Sequence, residues 1–293
     1  MNQTVYYNGK IMPLEQASVN VFDHGHLYGD GVFEGIRVYN GRVFKVDEHL
    51  DRLYAGAQML ALDVSLSQGD FKQAILDTVK AANATNETAY VRVNVTRGSG
   101  LGLDPRNLSG SANMMVAVSN LSLYPQEMYE TGLDMVTVST RVFPPQCLEP
   151  RLKTIGRYVS NIQAKIEATR QGAGEGLMLT LDGYVAEATG DNIFVIKDGV
   201  LMTPPIYAGI LGGITRASVI KLAKKLSIPV EERLMTLFDV YTADEVFLTG
   251  TAAELICSTK VDGRVIADGK FGSISRRILA AFRELTQSDG VKV

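Results

Sequence analysis

The apolar positions of the first 120 residues change period several times, and each change marks an element. Val5-Tyr6-Tyr7 and Ile11-Met12 flank Asn8-Gly9, a pair suited to a two-residue hairpin turn. Asn40-Gly41 repeats the device between residues 36–39 and 42–46. Residues 23–37 carry glycine at 25, 29, 31 and 35 and end in an apolar strand. Glycine at that density lets backbone pass close to another group. From Asp47 the period turns helical, with Leu50, Leu53, Tyr54, Ala57 and Leu60 on one face. Residues 67–70 resemble a capping box ahead of a second helical stripe of Phe71, Ile75, Val79 and Ala82. Residues 89–96 alternate strictly, with valines on one face and Tyr90, Arg92 and Asn94 on the other. A loop rich in Gly and Pro covers 97–112, and 114–118 read as an apolar strand.

Residues 121–132 are polar and aperiodic, which divides the chain into a small domain at 1–120, a connecting loop at 121–132 and a larger domain at 133–293. In the second part a strand pattern restarts at 136–142, and after Lys153 a helix runs through Val159, Ile162 and Ile166 to Gly172. Short strands flank Asp182-Gly183 and Asp198-Gly199. Leu211-Gly212-Gly213-Ile214-Thr215-Arg216 leads into a helix with Val219, Leu222, Ala223 and Leu226. A strand at 246–248 ends in Thr249-Gly250-Thr251-Ala252-Ala253-Glu254. Another strand at 255–261, a turn at Asp262-Gly263 and a helix near 273–286 complete the pattern. Strands come mostly as hairpins with helices between groups, so the fold class is α+β rather than alternating βαβ.

Composition narrows the function. At 293 residues there is room for two domains. The net charge of −3 and scattered basic residues leave no footprint for nucleic acid. No apolar run approaches the ~20 residues that span a bilayer, and residues 1–7 lack the pattern of a signal peptide. Cys147 and Cys257 lie far apart with no CxxC spacing. The expectation is a cytoplasmic protein with no membrane or nucleic-acid partner.

Taken one by one, the chemistry-bearing stretches are ordinary. Gly98-Ser99-Gly100-Leu101-Gly102 fails as a dinucleotide fingerprint because Leu103-Asp104-Pro105 follows instead of a helix. Residues 172–176 fail because a strand follows them. His24, His26 and His49 are the only histidines, with no carboxylate or cysteine cluster at ligand spacing, so no metal is expected. Residues 211–215 fit an anion site at a helix start, or a plain glycine turn with Thr215 as N-cap. Lys153 and Glu187, 34 residues apart, read singly as solvated surface charges.

Together they carry more. Residues 28–37, Lys153 with Tyr158 five residues on, residues 187–194, Gly213-Ile214-Thr215-Arg216 and residues 250–254 come in the order seen in one family. From Val5 to Ile278 the chain resembles the pyridoxal-phosphate fold-type IV transaminases, and within them the branched-chain amino acid transaminases. The resemblance implies a two-domain, D-amino-acid-aminotransferase-like α+β fold with the active site between domains. Its cofactor is pyridoxal 5'-phosphate, and it exchanges the amino group between leucine, isoleucine or valine and 2-oxoglutarate, as in branched-chain amino acid biosynthesis. Lys153 would hold the cofactor as a Schiff base and act as the base, which suits an amine whose pKa burial readily lowers. Glu187 would face the ring nitrogen and Tyr158 the phenolic oxygen. Arg52, Leu211, Gly213, Ile214, Thr215 and Thr251 would complete the cofactor site. Tyr28, Phe33, Gly35 and Tyr90 would line an apolar substrate pocket, Arg92 would take the second carboxylate of glutamate, and Thr251, Ala252 and Ala253 the α-carboxylate. A homodimer at least is implied, with Tyr28 and the 97–107 loop reaching toward the partner.

The chain departs from the family pattern at Gly212, where proline is usual, at Arg157 before Tyr158, and at Ala188 after Glu187. It has no tryptophan, so Tyr124, Met128 or Tyr129 is expected to cover the site in place of an interdomain indole. Two other readings remain at this level: D-amino-acid transamination or aminodeoxychorismate lyase chemistry on the same site, and a cofactor-free binding protein with Lys153 a bystander.

Overall fold

A computed structural model describes residues 2–84, 88–108 and 111–293. The expected 97–112 loop includes Ser109 and Gly110, which lie outside the described residues. The chain falls into two compact units: residues up to 121 with 152–158 and 286–293, and residues 122–151 with 159–285.

The first unit is a sheet backed by helices. In chain order its elements are β1 (Thr4–Tyr7), β2 (Lys10–Pro13), α1 (His24–Tyr28), β3 (Gly31–Tyr39), β4 (Arg42–Val43), α2 (Val46–Met59), α3 (Gln68–Ala81), β5 (Ala89–Thr96) and β6 (Asn113–Ser119). Among the described residues, Val291–Lys292 and six of these strands form a sheet in the order Val291–Lys292, β4, β3, β5, β6, β1, β2. The Asn8-Gly9 and Asn40-Gly41 turns form as expected, each with both residues at positive φ, the geometry that matches strand twist. Ser67 caps α3 by accepting from the Asp70 N–H. On β5, Val91, Val93 and Val95 are fully buried, while Tyr90, Arg92, Asn94 and Thr96 lie half-buried on the opposite face.

The five-residue α1 was not legible in the hydrophobic pattern. Asp23 starts it by accepting from the N–H groups of Gly25 and His26, and Gly29 ends it at φ 69°. Gly29 also faces Gly156, and a Cβ there would lie 2.6 Å from the Gly156 Cα. Residues 153–156 run beside the entry to β3. Phe33 N donates to Lys153 O (3.0 Å), Ile155 N to Gly31 O (2.9 Å) and Gly156 N to Gly29 O (3.0 Å). Main-chain pairing therefore groups Lys153 with the first unit, not with the 133–293 domain in which the chain pattern had placed it.

The second unit contains α4 (Gln126–Thr131), β7 (Leu133–Arg141), α5 (Tyr158–Arg170), β8 (Glu175–Leu179), β9 (Val185–Ala188), β10 (Asn192–Lys197), β11 (Val200–Thr203), α6 (Ile214–Lys225), β12 (Val230–Glu232), α7 (Leu237–Tyr241), β13 (Glu245–Gly250), β14 (Glu254–Val261) and α8 (Ser273–Ser288). Tyr158, the first residue of α5, and Thr286 to Ser288 of α8 group with the first unit. Among the described residues the sheet order is β12, β11, β10, β13, β14, β7, β8, β9, with Arg264–Val265 beside β14. It mixes antiparallel hairpins with the parallel pairs β11–β12, β14–β7 and β7–β8. Phe194 and Phe247 stack in its core, ring centroids 5.0 Å apart.

Two expectations change here. The 121–132 segment contains α4, and Tyr124 is buried in the second unit, where its hydroxyl lies 2.9 Å from Glu175 and 3.1 Å from Asp191. Met128 and Tyr129 pack on the same core, so Tyr124 is part of that unit's interior rather than a cover. Burial, and then the two carboxylates, push the Tyr124 hydroxyl pKa far up, so it stays a protonated donor. In α5 the buried positions are Ala164 and Ala168, while Val159, Ile162 and Ile166 are 61%, 57% and 45% exposed.

Candidate active site

In the first unit the candidate residues gather around the start of β3. Lys153 Nζ donates to Tyr158 Oη at 2.8 Å and lies 4.8 Å from the Phe33 ring centroid. Phe33 and Tyr158 meet edge to face at 4.8 Å. The lysine's main chain is fixed by β3, and its side chain by the phenol and ring beside it.

Cross-strand register assembles the next group. Phe33 stands opposite Asn94, and Gly35 opposite Arg92, on one face of the sheet. The Tyr90 ring crosses diagonally over Gly35, where a Cβ would meet its hydroxyl and force the ring to move. Arg92 lies over Phe33 with its guanidinium carbon 3.6 Å from the ring centroid, and its Nε donates to Asn94 Oδ1 at 2.8 Å. The structure thus brings Phe33, Gly35, Tyr90 and Arg92 together.

On the other face of β3, Glu34 is 1% exposed and accepts from three donors of α2. Arg52 supplies Nε at 2.6 Å and Nη2 at 2.8 Å, a bidentate fork, and His49 supplies Nδ1 at 2.7 Å. Burial raises the Glu34 pKa, but Arg52 and His49 outweigh it and bring it down to about 2. Burial first, helped by Arg52 and Lys153, holds His49 below the usual histidine range despite Glu34. Arg52 was legible as a candidate; the two residues that position it were not singled out.

Tyr28 is exposed at the end of α1 and accepts from the Gly102 N–H at 3.2 Å. His24 Nε2 donates to Gly102 O at 2.8 Å, and its Nδ1 lies 2.7 Å from Asp30, which Arg97 also grips. The 97–103 loop is therefore pinned to α1, with Leu101 and Leu103 exposed.

The second unit holds the other group. Glu187 on β9 is buried and accepts from Leu211 N at 2.9 Å and Asn192 Nδ2 at 3.2 Å. Asn192 also donates to Leu211 O at 2.9 Å, so one amide ties the acid to the segment before α6. Asn192 carried no role in the sequence reading, although it stands inside the 187–194 run. Gly213, not Thr215, is the N-cap of α6, and Thr215 is a buried first-turn residue. The first-turn N–H groups of this twelve-residue helix have no acceptor within the helix. Asn192 pairs with Thr249, whose buried hydroxyl has no partner among the described residues. The turn of Thr251, Ala252 and Ala253 follows at the end of β13.

Comparison with known proteins gives a consistent answer. The family profile Amino-transferase class IV matches residues 31–260. A provisionally named branched-chain-amino-acid aminotransferase of Methanocaldococcus jannaschii is 45% identical over 290 residues, 99% of this chain and 98% of that protein. The Escherichia coli branched-chain-amino-acid aminotransferase is 37% identical over 95% of this chain and 91% of its own length. A crystal structure of the Escherichia coli enzyme superposes with a TM-score of 0.93 at 35% identity, covering 98% of this chain and 95% of that one. The branched-chain amino acid aminotransferase of Thermobaculum terrenum, solved in its PLP-bound holo-form, gives a TM-score of 0.87 at 29% identity, covering 97% and 94%.

Proposed function

Because the chain belongs to the class IV aminotransferases, we infer that Lys153 and Glu187 serve a single bound cofactor. The reaction is transamination of branched-chain amino acids, the cofactor is pyridoxal 5'-phosphate, and the partners are small amino and 2-oxo acids. When bound, the pyridine ring supplies an electron sink for the Cα–H bond.

The donor set fits that group. An amine paired with a phenol, a buried carboxylate with its own donors and a helix start are the chemistry that such a ring and phosphate need. Lys153 Nζ would hold the group and, once the substrate's amine has displaced it, would carry the proton to and from Cα. Glu187 holds the proton on the ring nitrogen, and Tyr158 takes the phenolic oxygen. Arg52, Leu211, Gly213, Ile214, Thr215 and Thr251 hold the rest of the cofactor. Thr251, Ala252 and Ala253 take the α-carboxylate. Tyr28, Phe33, Gly35 and Tyr90 receive the side chain.

The observation that carries the substrate reading is the face shared by Phe33, Tyr90 and Arg92. It offers apolar rings to a branched chain and a guanidinium to the second carboxylate of glutamate or 2-oxoglutarate. A screen of L- and D-amino donors against 2-oxoglutarate tests it. Leucine, isoleucine and valine should be the best donors with glutamate as product; activity confined to D-alanine would sink it.

Glu187→Gln keeps an acceptor for Leu211 N but removes the charge. Turnover should fall about 10²-fold, the usual cost of one preorganised electrostatic contact, with the far-ultraviolet circular dichroism unchanged. Near-normal turnover would remove Glu187 from the ring nitrogen.

The assembly we propose is a cytoplasmic homodimer or a multiple of it. On α5 the exposed apolar residues Val159, Ile162 and Ile166 follow one helical stripe, which supports a face covered by a second copy. A monomer on sedimentation would exclude it. Among the described residues, no helix is long and apolar enough to cross a membrane.

A further inference from the structure

Arg92 is held on two sides before any substrate arrives. Phe33 covers one face of its guanidinium at 3.6 Å, and the Nε–H is taken by Asn94 Oδ1 at 2.8 Å. Only the two terminal nitrogens remain, and among the described residues no acceptor meets them. Those nitrogens form the end-on edge that grips a carboxylate with two parallel hydrogen bonds. A guanidinium free to turn about its last torsion would present that edge only part of the time.

We propose that Asn94 is a specificity-determining positioning residue: its amide oxygen sets the plane of Arg92 so that the terminal edge meets the second carboxylate of the acidic substrate. Three features support this. Nε is an obligate donor, so the contact fixes which end of the amide faces Arg92. Asn94 stands directly opposite Phe33 in the register, so ring and amide act on Arg92 from neighbouring positions of one face. The Asn94 side chain also borders a cavity of about 270 Å³, lined in part by Tyr7, Asp23, Thr96 and Met115, so its environment tolerates exchange. The branched-chain substrates carry no second carboxylate and draw nothing from this contact. Asn94 therefore acts on one of the two substrate classes that share the pocket.

The inference rests on the assignment of Arg92 to the acidic substrate, and the experiment separates the two. Donor half-reactions of the holoenzyme are measured separately with glutamate and with leucine for the parent, Asn94→Leu, Asn94→Asp and Arg92→Ala. Asn94→Leu keeps the size and removes the acceptor. It should raise KM for glutamate about tenfold, as expected for the loss of one charge-assisted contact's worth of alignment, with kcat for glutamate nearly unchanged. KM for leucine should stay within about twofold. Asn94→Asp tests the same point in a chain of nearly identical shape. Its carboxylate competes for Arg92, so glutamate should again be the substrate that suffers. If Arg92→Ala harms glutamate selectively and both Asn94 variants do not, the role of Asn94 is overturned while that of Arg92 stands. If Arg92→Ala harms both donors equally, the Arg92 assignment fails and takes the inference with it. A merely structural Asn94 would lower kcat or raise KM for leucine and glutamate alike.

Discussion

Lys153→Ala should lower turnover with every amino donor by at least ~10³-fold, because the proposed role makes one side chain both the nucleophile that holds the cofactor and the base that moves the substrate proton. The base role alone is commonly worth about 10²–10⁴-fold. The fold should survive, since the contacts that fix residues 153–156 beside β3 are made by main-chain atoms: Phe33 N to Lys153 O, Ile155 N to Gly31 O. Alanine keeps all of them. The side chain gives up one hydrogen bond to Tyr158 and its place beside Phe33. Cofactor should still bind through its other contacts, but more weakly and reversibly on dialysis. Borohydride reduction followed by peptide mapping reads the same residue without turnover. A pyridoxyl adduct is expected on Lys153 in the parent chain and none at this position in the variant. An adduct mapped to another lysine in the parent would remove Lys153 from the chemistry altogether.

The hairpins were legible because their cause is local. At Asn8-Gly9, Asn40-Gly41, Asp198-Gly199 and Asp262-Gly263, two adjacent residues adopt positive φ, and residue type alone signals that. The alternation of β5 was legible for the same reason, and with it the common face of Tyr90, Arg92 and Asn94. What the pattern could not supply was the destination of each face. Val159, Ile162 and Ile166 keep helical spacing yet point to solvent, and Ala164 and Ala168 fill the interior instead. Spacing marks a stripe as apolar without saying what covers it.

Two kinds of site information were also out of reach. Lys153 joins the first unit through hydrogen bonds to residues more than a hundred positions earlier, and no local period encodes that. Asn192 works because Leu211, 19 positions further along the chain, returns to it, so its role follows from topology rather than from the run that contains it. The family resemblance supplied the residues proposed to touch cofactor and substrate. The residues that orient them, Glu34 and His49 for Arg52 and Asn192 for Glu187, emerged only from geometry.

Glu34→Ala should be strongly destabilising. It leaves the Arg52 fork, 15% exposed, and the fully buried His49 ring without their acceptor. Breaking a buried pair by removing one member typically costs about 3–5 kcal/mol, because the remaining charge stays desolvated. A fall in Tm of roughly 10 °C is expected, read by circular dichroism since the chain has no tryptophan. Glu34→Gln isolates the charge. The Glu34 pKa is depressed in the folded state, from 4.5 to about 2, so its contribution is complete above pH 4.5 and is lost as pH falls toward 2. That contribution is about 3 kcal/mol, the shift expressed as free energy. His49, also depressed, adds a loss of the same sign that begins nearer its ordinary value of 6.5. The parent should therefore lose stability steeply between pH 4.5 and 2, and Glu34→Gln should start lower and lose less over that interval. A functional consequence follows from the Arg52 fork. Without Glu34 the guanidinium loses the fork that orients it toward the proposed phosphate site, so affinity for pyridoxal 5'-phosphate should fall while affinity for pyridoxal, which has no phosphate, stays the same. A Glu34→Ala chain within about 1 kcal/mol of the parent would show that solvent relaxes around Arg52 and His49, and that the pair contributes little to holding the fold.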